Sequence, residues 1–253
     1  MIYDLQKASM WKRISAFLFD GIMLGVVAVL CAWLLSIATG FDGHYNVLTE
    51  RYAHYETQYN MSFNMTLSEY EAMTAEELKV LDDAYAALSG DDQAVYAYNM
   101  VVQLMLLITT IGIFLSFLLL EFIIPMLFHN GQTLGKKVFG IAVMRTEGIK
   151  INGVCLFIRT ILGKYTIETM VPVLMILMIV SGTIGIVGPL VIGLIVLLNI
   201  IVMIVTKTNS AIHDLLANTV TVDLASQMIF DTREDLIAYK QKLHAEKVAN
   251  SVY

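Results

Sequence analysis

The chain has 253 residues, of which 57% are hydrophobic and 15% charged, with a mean hydropathy of +0.70 and a formal charge of −6. Soluble globular proteins run at about 45–50% apolar and about 25% charged residues, so this balance excludes a soluble enzyme, a nucleic-acid-binding domain and a disordered chain. Residues 42–92 hold eleven acids but only Arg51 and Lys79, a net of −9, while the rest of the chain nets +3; a membrane separating two compartments produces such segregation.

Taken in chain order, the first apolar run covers residues 14–38, preceded by Lys7, Lys12 and Arg13. At about 25 residues it exceeds the 7–15 of a cleaved signal, and it contains Asp20, so it reads as an uncleaved span. Gly21 and Gly25 form a GxxxG pair within it, which marks either a dimer seam or a close contact between two spans of one subunit. An acidic insertion follows over 42–98, with capping-box patterns at Ser68–Glu71 and Thr74–Glu77 that predict short helices and eight of the twelve tyrosines. It reads either as a cation-concentrating funnel or as an ordinary solvated loop. Asp91 and Asp92 can start a helix running into the second span, 101–124, which Pro125 closes.

The connection 125–168 is too polar to span. Residues 132–139 predict a brief amphipathic helix with Lys136 and Lys137 toward lipid head groups. Ile141–Thr146, Glu147-Gly148 and the IKI of 149–151 read as a β-hairpin, with a third strand at Thr219–Asp223. The apolar stretch 171–205 would make a helix of about 52 Å as one span, against a hydrocarbon thickness of about 30 Å. Ser181, Gly182, Gly185, Gly188 and Pro189 instead divide it into a hairpin of two short spans, about 170–186 and 189–205. The expected fold class is therefore an all-α polytopic membrane protein with four transmembrane helices, a membrane domain over 1–225 and a charged tail over 226–253, solvated or partner-binding. Basic residues flanking the spans place both termini in the cytoplasm of a plasma-membrane protein, a bacterial one, with the acidic insertion outside.

The first span opens RISAFLFD, the connection reads NGQTLGKKVFG, and the last span is followed by AIHDLLANTVTVD. On these blocks the chain resembles the RDD family of membrane proteins, named for an Arg and two Asp. The first block matches through Arg13, Ala16 and Asp20, the second through Gln132, Thr133, Gly135, Lys136 and Gly140, and the third through His213, Asp214 and Thr219. Arg159 stands where the family commonly has another Arg.

An Asp inside a span costs about 2.5–3.5 kcal/mol at the helix centre on insertion scales. Asp20 therefore needs a cation, and Arg13, two turns lower with its side chain leaning the same way, does not meet it. Arg159 is the candidate partner. Arg13, Asp20, Glu121, Arg159 and Asp214 all fall toward the cytoplasmic side in this topology. They form either a cluster that binds or relays a proton or monovalent cation or a structural clasp. His213 and Asp214 are adjacent on a helix, so their side chains diverge and make no catalytic dyad. Cys31 and Cys155 lie at different depths, which argues against a disulfide, and no metal-ligand spacing, nucleotide loop or cofactor motif occurs. The functional expectation is a non-enzymatic membrane protein that transports, or supports transport of, an ion or small solute. The alternative is a scaffold for another membrane complex. Its partners are the bilayer, a cation or proton, and a second copy or another membrane protein, with no nucleic acid.

Overall fold

The structure, a computed structural model, describes residues 5–128 and 130–251; the last two residues of the predicted tail lie outside them. In order the elements are α1 (Met10–Thr39), α2 (Phe41–Tyr59), α3 (Leu67–Glu71), α4 (Ala75–Ser89), α5 (Asp92–Leu127), α6 (Leu134–Val138), β1 (Ile141–Arg145), α7 (Gly153–Val180), α8 (Val187–Val205), α9 (Ile212–Leu216), β2 (Thr219–Asp223) and α10 (Arg233–Ser251). Among the described residues four helices, α1, α5, α7 and α8, are long and apolar enough to cross a membrane. The protein is thus an all-α polytopic membrane protein with a two-stranded sheet. Two compact units divide it: one holds the chain up to Ala28 and from Phe114 onward, the other Val29–Ile113.

The burial pattern of α1 reverses that of a helix in a soluble protein. Over its thirty residues α1 buries only Ala16 and Asp20, while Trp11, Phe17, Leu18 and Ile22 are exposed. With lipid as solvent, apolar side chains face out and the polar groups must find partners inside. A Cβ at Gly21 or Gly25 would meet nothing nearby, so neither glycine is a point of close approach within this unit.

Helices α7 and α8 form the antiparallel hairpin read from the breaking residues. Ser181 N–H donates to Leu177 and Gly182 N–H to Ile179, with Gly182 at φ 71°. The third span begins far earlier than residue 170, because Asn152 caps α7 by accepting from Cys155 N–H at 2.8 Å. The charges that made 153–168 look like a connection are instead taken up in buried pairs. Both α5 and α7 widen locally into π-helix, over Leu118–Ile123 and Ile158–Met170.

Strands β1 and β2 pair antiparallel from Ile141↔Asp223 to Arg145↔Thr219, and Ala142, Met144, Val220 and Val222 form a fully buried core. The predicted hairpin partner, residues 149–151, contributes only isolated bridges, Met144↔Lys150 and Ile149↔Phe230. The Asn152 cap turns the chain into α7 too soon for a strand. The amino-terminal segment lines the free edge of β2: Ala8 N–H donates to Thr221, Asp223 N–H to Gln6, and Lys12 pairs with Asp223 at 2.5 Å. Helix α10 is largely exposed, with the Phe230 ring packed at a tilt against Tyr239.

In the second unit α2 packs on α4, and Leu81, Ala84, Leu88, Ala94 and Ala97 are buried. Thr74 and Glu77 make the predicted capping box; the other is Thr66 with Glu69 in place of Ser68 with Glu71, so α3 starts two residues earlier. Asp91 caps α5, its Oδ1 accepting from Gln93 and Ala94 N–H.

Candidate functional site, a buried network of ion pairs

The five charged residues singled out from the sequence lie in the first unit, all at most 9% exposed except Arg13, which is half-buried. They form two groups.

Asp214 anchors the first group and is fully buried. Arg159 Nε donates to its Oδ1 at 2.9 Å and Arg13 pairs with its Oδ2 at 3.5 Å. Thr219 Oγ1 lies 3.3 Å from Oδ1, and Ala211 N–H donates to Oδ2 at 3.4 Å. Arg13 also donates to the Asn209 carbonyl at 2.5 Å. Burial pushes the Asp214 carboxyl up, but the positive charges around it, Arg159 foremost, outweigh burial and hold it well below the usual carboxylate range.

His213 joins this group. Its Nε2 stands 3.1 Å from Arg159 NH2 and its Nδ1 2.9 Å from Glu168. A guanidinium only donates and a carboxylate only accepts, so one neutral tautomer, protonated at Nδ1, satisfies both. Burial, which lowers the imidazole pKa, keeps it in that form. His213 and Asp214 stand 3.8 Å apart, both on one guanidinium; they share a partner where the sequence implied only divergence. Gly163 makes this approach possible, since a Cβ there would sit 2.5 Å from that of His213.

The second group surrounds Asp20. Its Oδ1 accepts from Gly135 N–H at 2.7 Å, its Oδ2 from the Thr133 hydroxyl, and Lys136 Nζ lies 4.0 Å away. Thr133 Oγ1 also accepts from Lys136 N–H at 3.3 Å, capping α6, and from Lys136 Nζ at 3.1 Å. One donor and two acceptor sites are the full capacity of a hydroxyl. Gly135 permits the contact, because a Cβ would lie 2.5 Å from the Ala16 carbonyl and 2.9 Å from Asp20 Oδ1. Arg159 is therefore not the partner of Asp20; its guanidinium is committed to Asp214 and His213. Lys136 does not face lipid head groups either. It is buried, its apolar stem carrying the amino group inward to Asp20 and Glu121. Burial, with Lys164 and Arg159 nearby, lowers its pKa to about 8 against the pull of Glu121 and Asp20. Lys137 stands over the Phe128 ring at 3.8 Å.

Glu121 sits in the π-helical stretch of α5. Its Oε1 accepts from Lys164 Nζ at 2.6 Å, and Thr160 donates to its backbone carbonyl at 3.0 Å. Its Oε2 is the one buried side-chain polar atom, among the described residues, without a hydrogen-bond partner. Lys164 and Glu168 are the members that sequence reasoning missed. Thr166 and Thr169 hydroxyls donate to carbonyls five residues back, Ile161 and Lys164, so the helix is wound to an i→i+5 pattern. That winding brings 159, 164 and 168, spaced five and four apart, to one side. With Asp20, Glu121, Glu168 and Asp214 against Arg13, Lys136, Arg159 and Lys164, and His213 neutral, the network carries no net charge.

Of the family-motif positions, Gln132 donates from its side chain to the Ile141 carbonyl at 2.9 Å, Gly140 turns the chain into β1 at φ 65°, and Ala16 is buried beneath Gly135. The signature thus marks the network and the sheet that carries it. No curated protein and no solved structure matches the chain. The model of the RDD family matches residues 7–218, a stretch that includes the whole ion-pair network, and the chain belongs to the RDD family.

Proposed function

We propose that this protein transports, or supports the transport of, an ion or small solute through the buried charge network, with a proton or monovalent cation as the species it handles. The observation that carries this reading is Glu121 Oε2, a buried acceptor without a partner inside a network otherwise fully paired. Ionisable groups kept in a span at such cost commonly mark an ion or proton path, and an unsatisfied carboxylate oxygen is where an exchangeable cation or proton can bind. Lys164, on the other oxygen, is placed to be displaced when it does. Four spans are few to enclose a path, so the reading includes self-association. It places the protein in the plasma membrane with both termini cytoplasmic, and it assigns no enzymatic chemistry.

A second reading, a structural clasp within a scaffold for another membrane complex, draws support from the charge balance of the Arg13–Asp214–Arg159 group. The test is ion-coupled proton flux in proteoliposomes across a panel of monovalent cations, comparing wild type with Asp20→Asn, Glu121→Gln and Asp214→Asn. Flux abolished by Glu121→Gln in folded protein is the expected result. Absence of flux from the wild type with every ion would favour the clasp. A reporter fused to the carboxyl terminus tests orientation, since activity outside the cytoplasm contradicts it.

A further inference from the structure

The second unit contains a cavity of about 640 Å³ between the end of α2 and the start of α4. Met61, Met65 and Met73 line it, together with Glu69, Glu76 and Glu77. None of the three methionines is fully buried, so part of each is left uncovered beside the cavity it lines. The walls are held in place. Glu56 fastens the loop after α2 by accepting from Phe63 N–H at 2.7 Å and from Ser62 Oγ at 3.1 Å. Phe63 is seated between Tyr52 and Tyr85, at 5.4 and 4.8 Å. Met73 immediately precedes the Thr74 capping box.

We propose that this cavity binds a soft monovalent metal ion, Cu(I) or Ag(I), through the sulfurs of Met61, Met65 and Met73. Thioethers are neutral, polarizable donors that select Cu(I) over hard cations. Glu69 Oε2 and Glu77 Oε2 each already accept two hydrogen bonds, from Thr66 and from Thr74, and the carboxylate oxygens that remain, with those of Glu76, add negative charge beside a bound monovalent cation. Because a thioether releases no proton on binding, the site retains its metal at acidic pH, where imidazole sites lose theirs. The inference is independent of the transport reading, since the cavity shares no residue with the ion-pair network.

The test uses the purified full-length protein in detergent, with Cu(I) supplied as its bicinchoninate complex and Ag(I) titrated calorimetrically. One ion per chain is expected, held equally at pH 5 and pH 7. The near-isosteric triple variant Met61→Leu/Met65→Leu/Met73→Leu should weaken binding at least tenfold, and Met228→Leu, an exposed methionine in the other unit, should leave it unchanged. X-ray absorption of the wild-type Cu(I) complex should show sulfur neighbours, a readout that needs no variant to fold. A shell of nitrogen and oxygen only, affinity unaltered in the triple variant, or release between pH 7 and 5 would overturn the proposal.

Discussion

Replacing Asp214 by Asn tests whether the network is held by charge. Asp214 is fully buried and four donors converge on its two oxygens, Arg159 and Thr219 on one and Arg13 and Ala211 on the other. Asn keeps one acceptor oxygen and turns an NH2 group against the donors on the other side. Whichever way it points, one guanidinium loses its partner, and two positive side chains share a site with no compensating charge. Breaking a buried pair in this way costs about 3–5 kcal/mol, which for a chain of this size lowers Tm by roughly 6–20 °C. Asp223→Asn is the control. Its pair with Lys12 is comparably short, but Lys12 is 41% exposed, so the loss should be about 1 kcal/mol or less. The assay is thermal unfolding of both variants in the same detergent, followed by intrinsic fluorescence at pH 7. If Asp214→Asn melts within 2 °C of Asp223→Asn, on the scale of about 2–4 °C per kcal/mol, the reasoning from buried charge fails. The double variant Arg159→Met/Asp214→Leu should recover part of the loss, because removing both charges leaves less unpaired than removing one.

Lys136 gives a pH signature. Its folded pKa, about 8, lies below its ordinary value of about 10.5. Between these values the unfolded chain binds the extra proton, so stability contributed by this residue rises as pH climbs from 8 to 10.5; Tm across that window should rise more in wild type than in Lys136→Met. Thr133→Val removes one donor and two acceptor sites from Asp20 and Lys136 and should cost about 1–3 kcal/mol, while Thr133→Ser keeps the hydroxyl and should lose less than half as much in the same melts. Gly135→Ala drives a methyl group into the Ala16 carbonyl, where only backbone movement can relieve it; a loss of about 1–3 kcal/mol is expected, with Gly140→Ala the comparison for a position where strain comes from φ alone.

Much of this architecture was legible in the sequence because apolar run length and breaking residues are local signals. Residues 171–205 were too long for one span, and the Ser181–Gly185 cluster gave the turn. The members Arg13, Asp20, Glu121, Arg159 and Asp214 were also legible, since a charge inside or beside an apolar run stands out. Their pairing was not. Asp20 reads as a partner of Arg159 because it needs a cation that Arg13 cannot supply; the actual partner, the Thr133–Lys136 turn, is set by how close Gly135 lets α6 approach α1, a tertiary fact. Lys164 and Glu168 escaped notice because an α-helical repeat places them away from Arg159, and only the wider winding brings them together. The strand partner of β1 was misassigned for a related reason. Nearest in sequence was preferred, whereas the alternating buried Val220 and Val222 supply the complementary face far downstream.

The route by which the amino-terminal residues are fastened has a consequence for how the protein is made. Arg13 reaches Asp214, a partner 201 residues later, and the segment at Gln6–Ala8 pairs with a strand ending at Asp223. At ribosomal rates of about 5–20 residues per second, roughly 10–40 s separate the synthesis of the two ends of that pair. All four spans are therefore synthesised before the last members of the network exist. During that interval Arg13 lacks the acid it pairs with in the finished fold, and a positive charge beside an apolar run is the kind that orients a nascent helix. A chain ended after Val205 would thus carry all four apolar helices while leaving Arg13 without its acid.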